Sequence, residues 1–170
     1  ASQVAAEVGF VITSASKAFN FAGLKCAVMV AATDEHTAVL RGLAWEVEWR
    51  TGLFGAIANN AAFGGESDAW LDSLLARLDL NRRLLAELLA EHLPLARYRI
   101  PDAGFLAWID LSAYDWGDDP AVKIRRDARV ALNHGPLFGP AGVGHVRINF
   151  GCAPELLTEA VTRIGALARD

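Results

Sequence analysis

The feature that most constrains this chain is a run of leucines at helical spacing between residues 67 and 91. Leu71, Leu74, Leu75, Leu78, Leu85, Leu88 and Leu89 fall on one stripe of a helix. Ser67 or Asp68 can cap its start, and Pro94 stops it. A long helix with one apolar stripe needs a partner layer, and the residues that follow supply one. Ala96–Ile100 and Phe105–Leu111 read as antiparallel strands joined by the turn Pro101-Asp102-Ala103-Gly104. Asp119-Pro120 opens a second helix, with Ala121, Ile124, Ala128 and Ala131 facing inward. Residues 135–144 are a Gly/Pro-rich loop, and His145–Phe150 is a third strand. Pro154 opens a last helix whose buried face is Leu157, Ala160, Val161, Ile164 and Ala168. From residue 67 onward these elements make a compact α/β or α+β unit.

Ahead of the long helix the pattern changes. Val8–Ile12 and Cys26–Ala32 are continuous apolar runs, expected to be buried strands of a sheet covered on both faces. Residues 1–8 read as a loop or helix end. Thr33 or Asp34 can cap a helix expected to reach about Arg50, where Thr51-Gly52 ends it. Leu53–Phe63 is apolar nearly all round, which predicts a buried helix. Gly64-Gly65 is a hinge-like break. Two strands and two helices cannot make a covered sheet by themselves.

Composition narrows the function. Of 170 residues, 53% are hydrophobic, ample for a core and too many for disorder. A net charge of −4 and the lack of a basic cluster argue against a nucleic-acid surface; Arg125, Arg126 and Arg129 read as a solvated helix face. No apolar run reaches membrane-spanning length, and the N-terminal residues do not read as a signal peptide, so no membrane partner is expected. Cys26 and Cys152 lack metal spacing and read as reduced, buried thiols of a cytoplasmic protein. The four histidines show no paired spacing, so no metal site is expected.

The chemistry concentrates after the first strand, in Thr13-Ser14-Ala15-Ser16-Lys17-Ala18-Phe19-Asn20. A lysine that attacks a carbonyl must lose its proton, which partial burial and neighbouring cations favour. The hydroxyls of Thr13, Ser14 and Ser16 suit a phosphate held beside it. Lysine beside a phosphate site suits pyridoxal 5′-phosphate (PLP), although a lone lysine in a serine-rich loop is more often a solvated surface residue. Arg147, in Val146-Arg147-Ile148-Asn149, faces opposite Val146 and Ile148 by alternation. An arginine inside such a strand must be paired or face a cavity, and its fork matches a carboxylate; the alternative is a structural ion pair with a helix acid. The five tryptophans read as core or edge packing.

The segment Ser14-Ala15-Ser16-Lys17-Ala18-Phe19-Asn20-Phe21-Ala22-Gly23-Leu24-Lys25 resembles the lysine segment of the PLP-dependent class I/II aminotransferase family, nearest to its cystathionine β-lyase-like C–S lyases. Trp70-Leu71-Asp72, Asn81-Arg82, Pro101–Trp108 and Gly144–Phe150 agree in order and spacing. The resemblance implies an α/β fold, the C-terminal part of a fold type I transferase. Residues 1–66 would be the end of the large PLP-binding domain and residues 67–170 the small C-terminal domain. It implies that Lys17 carries PLP by Schiff-base chemistry and moves the substrate Cα proton. Ser14 and Ser16 would contact the cofactor phosphate, and so would Lys25, where relatives often place an arginine. Arg147 would bind the α-carboxylate of a small-molecule amino-acid substrate. A homodimer is implied as well. The aspartate that pairs with the pyridine nitrogen, the stacking aromatic and the phosphate-loop residues lie upstream in the family. The chain by itself is therefore expected to be inactive. An aminotransferase and a non-catalytic small-domain module remain the rival functions.

Overall fold

The computed structural model describes residues 3–169, and the chain divides into two compact units, Ala1–Ser73 and Leu74–Asp170. In the first unit, helix α1 (Gln3–Val8) leads into strand β1 (Phe10–Thr13), which pairs antiparallel with β2 (Val28–Ala31). The register sets Phe10 opposite Ala31 and Thr13 opposite Val28, so residues 14–27 are one long excursion between paired strands. Helix α2 (Asp34–Arg41) is capped by Thr33, whose hydroxyl accepts the His36 N–H. Two short helices follow, α3 (Glu46–Trp49) and α4 (Leu53–Phe63).

Three expectations for this unit are corrected. The helix begun at Asp34 does not run to Arg50: Gly42 closes it, its N–H shared between the Ala38 and Val39 carbonyls, and Leu43 bonds back to Leu40. Glycine's low helix propensity and this tightening of the last turn break the periodicity that the sequence suggested. The strands are not buried: Val11 is 52% and Ile12 67% exposed, because among the described residues too little packs on the two-stranded sheet to cover it. Helix α4 buries only Gly55, Asn59 and Ala62, while Phe54 is 77% exposed. An apolar sequence states an appetite for burial, and only a neighbouring surface satisfies it.

The long helix α5 (Asp68–His92) gives its first turns to the first unit and the rest to the second. The second unit holds four antiparallel strands, β3 (Arg97–Tyr98), β4 (Leu106–Asp110), β5 (Asn133–His134) and β6 (His145–Asn149), in the order β3-β4-β6-β5. One sheet face packs Ala107, Ile109, Val146 and Ile148 against Leu78, Leu85, Leu88 and Leu89 of α5 and Leu157, Val161 and Ile164 of helix α7 (Pro154–Ala166). Helix α6 is shorter than the sequence suggests. It spans Pro120–Lys123, passes into a π-helical turn over Ile124–Ala128, and ends where Arg129 takes the left-handed φ of 58°. Ala131 consequently lies outside the helix and is exposed. Two 3-10 turns, Gly135–Phe138 and Pro140–Gly142, occupy the stretch expected to be loop, and strand β5 stands just ahead of it. Cys26 and Cys152 are unpaired and only partly buried, with burial pushing the Cys152 thiol up from its ordinary value. No described helix is long and apolar enough to cross a membrane.

One polar residue sits inside the leucine stripe. Asn81 is 1% exposed, and its Nδ2 donates to the carbonyls of Phe150 and Cys152, each at 2.8 Å. It ties the end of β6 to α5 where the chain turns toward α7. Replacing Asn81 with Ala strands two carbonyls and opens a small void. Denaturant unfolding should show a loss of about 2–3 kcal/mol.

Candidate active site

The excursion from β1 begins with one helical turn, closed by the Phe19 N–H on the Ala15 carbonyl at 3.0 Å. Residues four apart share a face of such a turn, so Ala15 and Phe19 point inward together and Lys17 points away. Ala15 and Phe19 are buried, packing with Ala62, Phe21 and Leu71; Phe19 also stacks on Trp70, with ring centroids 5.8 Å apart. The Ala15 N–H is met by Oδ1 of Asn59 on α4 at 3.1 Å. The backbone on both sides of Lys17 is thus pinned from within, while Lys17 itself is exposed. Among the described residues its amine has no hydrogen-bond or ion-pair partner. The partial burial expected for this lysine is not found.

Ser14 and Ser16 stand together before it. The Ser14 hydroxyl donates to Ser16 Oγ at 2.9 Å and accepts the Ser16 N–H at 3.4 Å. Thr13 ends β1. Asn20 takes a left-handed φ of 58°, a conformation asparagine tolerates, and turns the chain after Phe19. Lys25 also has φ near 53° and follows the 3-10 turn Ala22–Leu24. Its neighbours run so close to α4 that a Cβ on Gly55 would strike the Leu24 carbonyl and reach within 2.9 Å of Cys26 Cβ. Helix α4 therefore supports both the Lys17 turn, through Asn59, and the Lys25 loop, through Gly55. Asn59 was missed from the sequence. The signal available was Gly55, Asn59 and Ala62, a small and polar stripe on an otherwise apolar helix.

In the second unit Arg147 projects from β6 on the face opposite the core, as alternation requires. Its Nε and Nη2 donate to Asn133 Oδ1 at 3.3 and 3.1 Å, and its guanidinium lies over the Phe138 ring, 4.5 Å from the centroid. No ion pair among the described residues involves it. Trp108, its partner across from β4, meets Phe138 edge-on and stacks on His145. Phe138 is held by a backbone closure: a Cβ on Gly135 would run into the Gly142 carbonyl, and a Cβ on Gly142 into that of Gly135. Nearby, hydrogen bonds from Ser112 hold the Asp110 carboxyl below its ordinary range, with lesser help from His145 and Arg97.

The donor set of the first unit fits PLP in part. An unpartnered lysine amine suits covalent attachment, and clustered hydroxyls suit a phosphate. The described residues supply nothing assigned to the pyridine nitrogen.

The fold is that of fold type I PLP-dependent transferases. The structure superposes with a TM-score of 0.93 on a crystal structure from Corynebacterium diphtheriae, provisionally named a PLP-dependent β-cystathionase. The two are 31% identical, and the match covers 99% of this chain and 45% of that one. The model of the aminotransferase class I and II family matches residues 1–164, and the chain belongs to that family. A Mycobacterium leprae protein provisionally named a cystathionine β-lyase is 40% identical over 173 residues, covering 94% of this chain and 42% of its own. A cystathionine β-lyase of Corynebacterium glutamicum is 31% identical over 166 residues, covering 98% and 44%. The chain thus spans less than half the length of the curated relatives it matches.

Because Asn59 satisfies a buried amide, Asn59→Ala should cost about 1–2 kcal/mol in the first unit. Hydrogen exchange should quicken at Ala15 and its neighbours while the amides of β4 and β6 stay protected. Unchanged protection at Ala15 would show that Asn59 does not hold the turn.

Proposed function

We propose that the complete protein is a PLP-dependent C–S β-lyase acting on cystathionine-like amino acids, with Lys17 as its central residue. The observation that carries this reading is the Lys17 amine, exposed and, among the described residues, without a partner beside the Ser14–Ser16 hydroxyl pair, on a turn fixed from inside. The names of the relatives support the choice of reaction.

In this reading Lys17 Nζ holds the cofactor covalently, and Ser14, Ser16 and Lys25 hold its phosphate. Lys25 offers a point charge rather than a planar fork, so it attracts without two-pronged contact. Bound, the cofactor supplies an electron sink for cleavage at the substrate Cα. Arg147 would bind the substrate α-carboxylate. Lys17 Nζ would act as the base that takes the substrate Cα proton. The Cβ–S bond then breaks with its electron pair leaving on sulfur. With one water consumed, the products are pyruvate, ammonia and a thiol. The same reading makes the complete protein a cytoplasmic homodimer, in line with the resemblance and with two unpaired cysteines. The second reading is an aminotransferase, favoured by the family to which the chain belongs.

In the complete protein, cystathionine should yield pyruvate without added keto acid, and alanine should yield little. Production that needs 2-oxoglutarate and forms glutamate would decide for the aminotransferase. Lys17→Ala should lower turnover by several orders of magnitude, since attachment and proton transfer are lost together. Near-normal turnover in that variant would remove Lys17 from the reaction.

A further inference from the structure

Arg147 is not free to present any edge it chooses. An arginine guanidinium has two edges able to make paired hydrogen bonds, the side edge of Nε with Nη2 and the terminal edge of Nη1 with Nη2, and substrates meet the one left open. Here Nε and the nearer Nη2 hydrogen are both directed to Asn133 Oδ1. The Phe138 ring covers one face of the plane. What remains is the terminal edge, Nη1 with the second Nη2 hydrogen. Asn133 can do this because β5 sets it directly opposite Arg147 in the β5–β6 register.

We propose that Asn133 is a positioning residue that orients Arg147 for end-on, two-pronged capture of a carboxylate, with Phe138 fixing the plane. This rests on the reading of Arg147 as the carboxylate site and adds a residue to it. An amide suits the task where a carboxylate would not. Oδ1 accepts both donors yet leaves the guanidinium its charge, whereas an aspartate at 133 would neutralise it and compete with the ligand. The neighbouring His134 anchors the same strand, with Nδ1 2.6 Å from Asp119 Oδ2, so the asparagine is held by its backbone as well as by its partner.

The test uses the complete protein and two ligands that lack an amino group: 3-(methylthio)propionate and its uncharged counterpart, 3-(methylthio)propan-1-ol. Binding is measured by calorimetry, so the readout does not depend on turnover. The wild type should prefer the acid. Asn133→Ala should weaken acid binding about fivefold, the loss expected for a hydrogen-bonded support to a charged group, and leave the alcohol unchanged. Asn133→Asp, nearly identical in shape, should weaken the acid at least as much, which guards against misfolding of the alanine variant. Arg147→Lys reports on the site itself. If Arg147→Lys lowers acid affinity and both Asn133 variants leave it intact, the positioning role is overturned and the carboxylate site stands. Equal losses for acid and alcohol would make Asn133 merely structural and overturn the proposal. A wild type without preference for the acid, or one unchanged by Arg147→Lys, would overturn the carboxylate site and this proposal with it.

Discussion

A β-strand has two faces and no third, and the second unit is organised by how β4 and β6 divide their residues between them. Ala107, Ile109, Val146 and Ile148 enter the core only because Trp108, His145 and Arg147 do not. The same alternation builds the hydrophobic contact with α5 and α7 and presents a charged, aromatic surface on the other side. A shift of one residue in register would bury the guanidinium and expose the aliphatic row. Core stability and the presentation of Arg147 are therefore one constraint. The Asn81 amide adds to it by fixing β6 at its far end through the carbonyls of Phe150 and Cys152.

The first unit solves a different problem. The backbone at Lys17 is held still by something other than that residue's own side chain. The turn manages this by burying the residues two before and two after Lys17 and by giving the Ala15 amide to Asn59. The ordering cost thus falls on backbone and aromatic packing, and among the described residues the amine has no partner. Around this well-packed knot the β1–β2 pair and α4 leave much apolar surface uncovered.

Much of this was legible in the residues themselves. The leucine stripe, the capping Thr33, the strand carrying Arg147 and the turn carrying Lys17 each follow from local pattern, because spacing and backbone preference are local properties. What was not legible depends on neighbours. Val11, Ile12 and Phe54 look like core residues in sequence and are exposed here, since hydrophobicity does not say what will lie against it. The break at Gly42 was hidden by an apolar pattern that continues beyond it. Arg129, in a left-handed conformation with no glycine to announce it, ends the α6 segment before Ala131. Asn133 and Phe138 gave no signal at all: their meaning lies in contacts with Arg147, 14 and 9 residues along the chain; a two-residue strand is too short to show alternation, and a stretch read as loop concealed the turn that places Phe138.

The contact between Gly135 and Gly142 separates what can change in this region from what cannot. Because the loop is shut by main chain against main chain, its ends admit no side chain, whereas Leu137 at its tip is largely exposed and Phe138 faces the arginine rather than the core. The tip is in effect an interchangeable fitting on a fixed socket. Drift there can reshape the wall beside Arg147, making it smaller, more polar or differently charged, without loosening the fold. Families that keep one reaction and vary their substrates have use for such a place, where chemical novelty and structural risk are uncoupled.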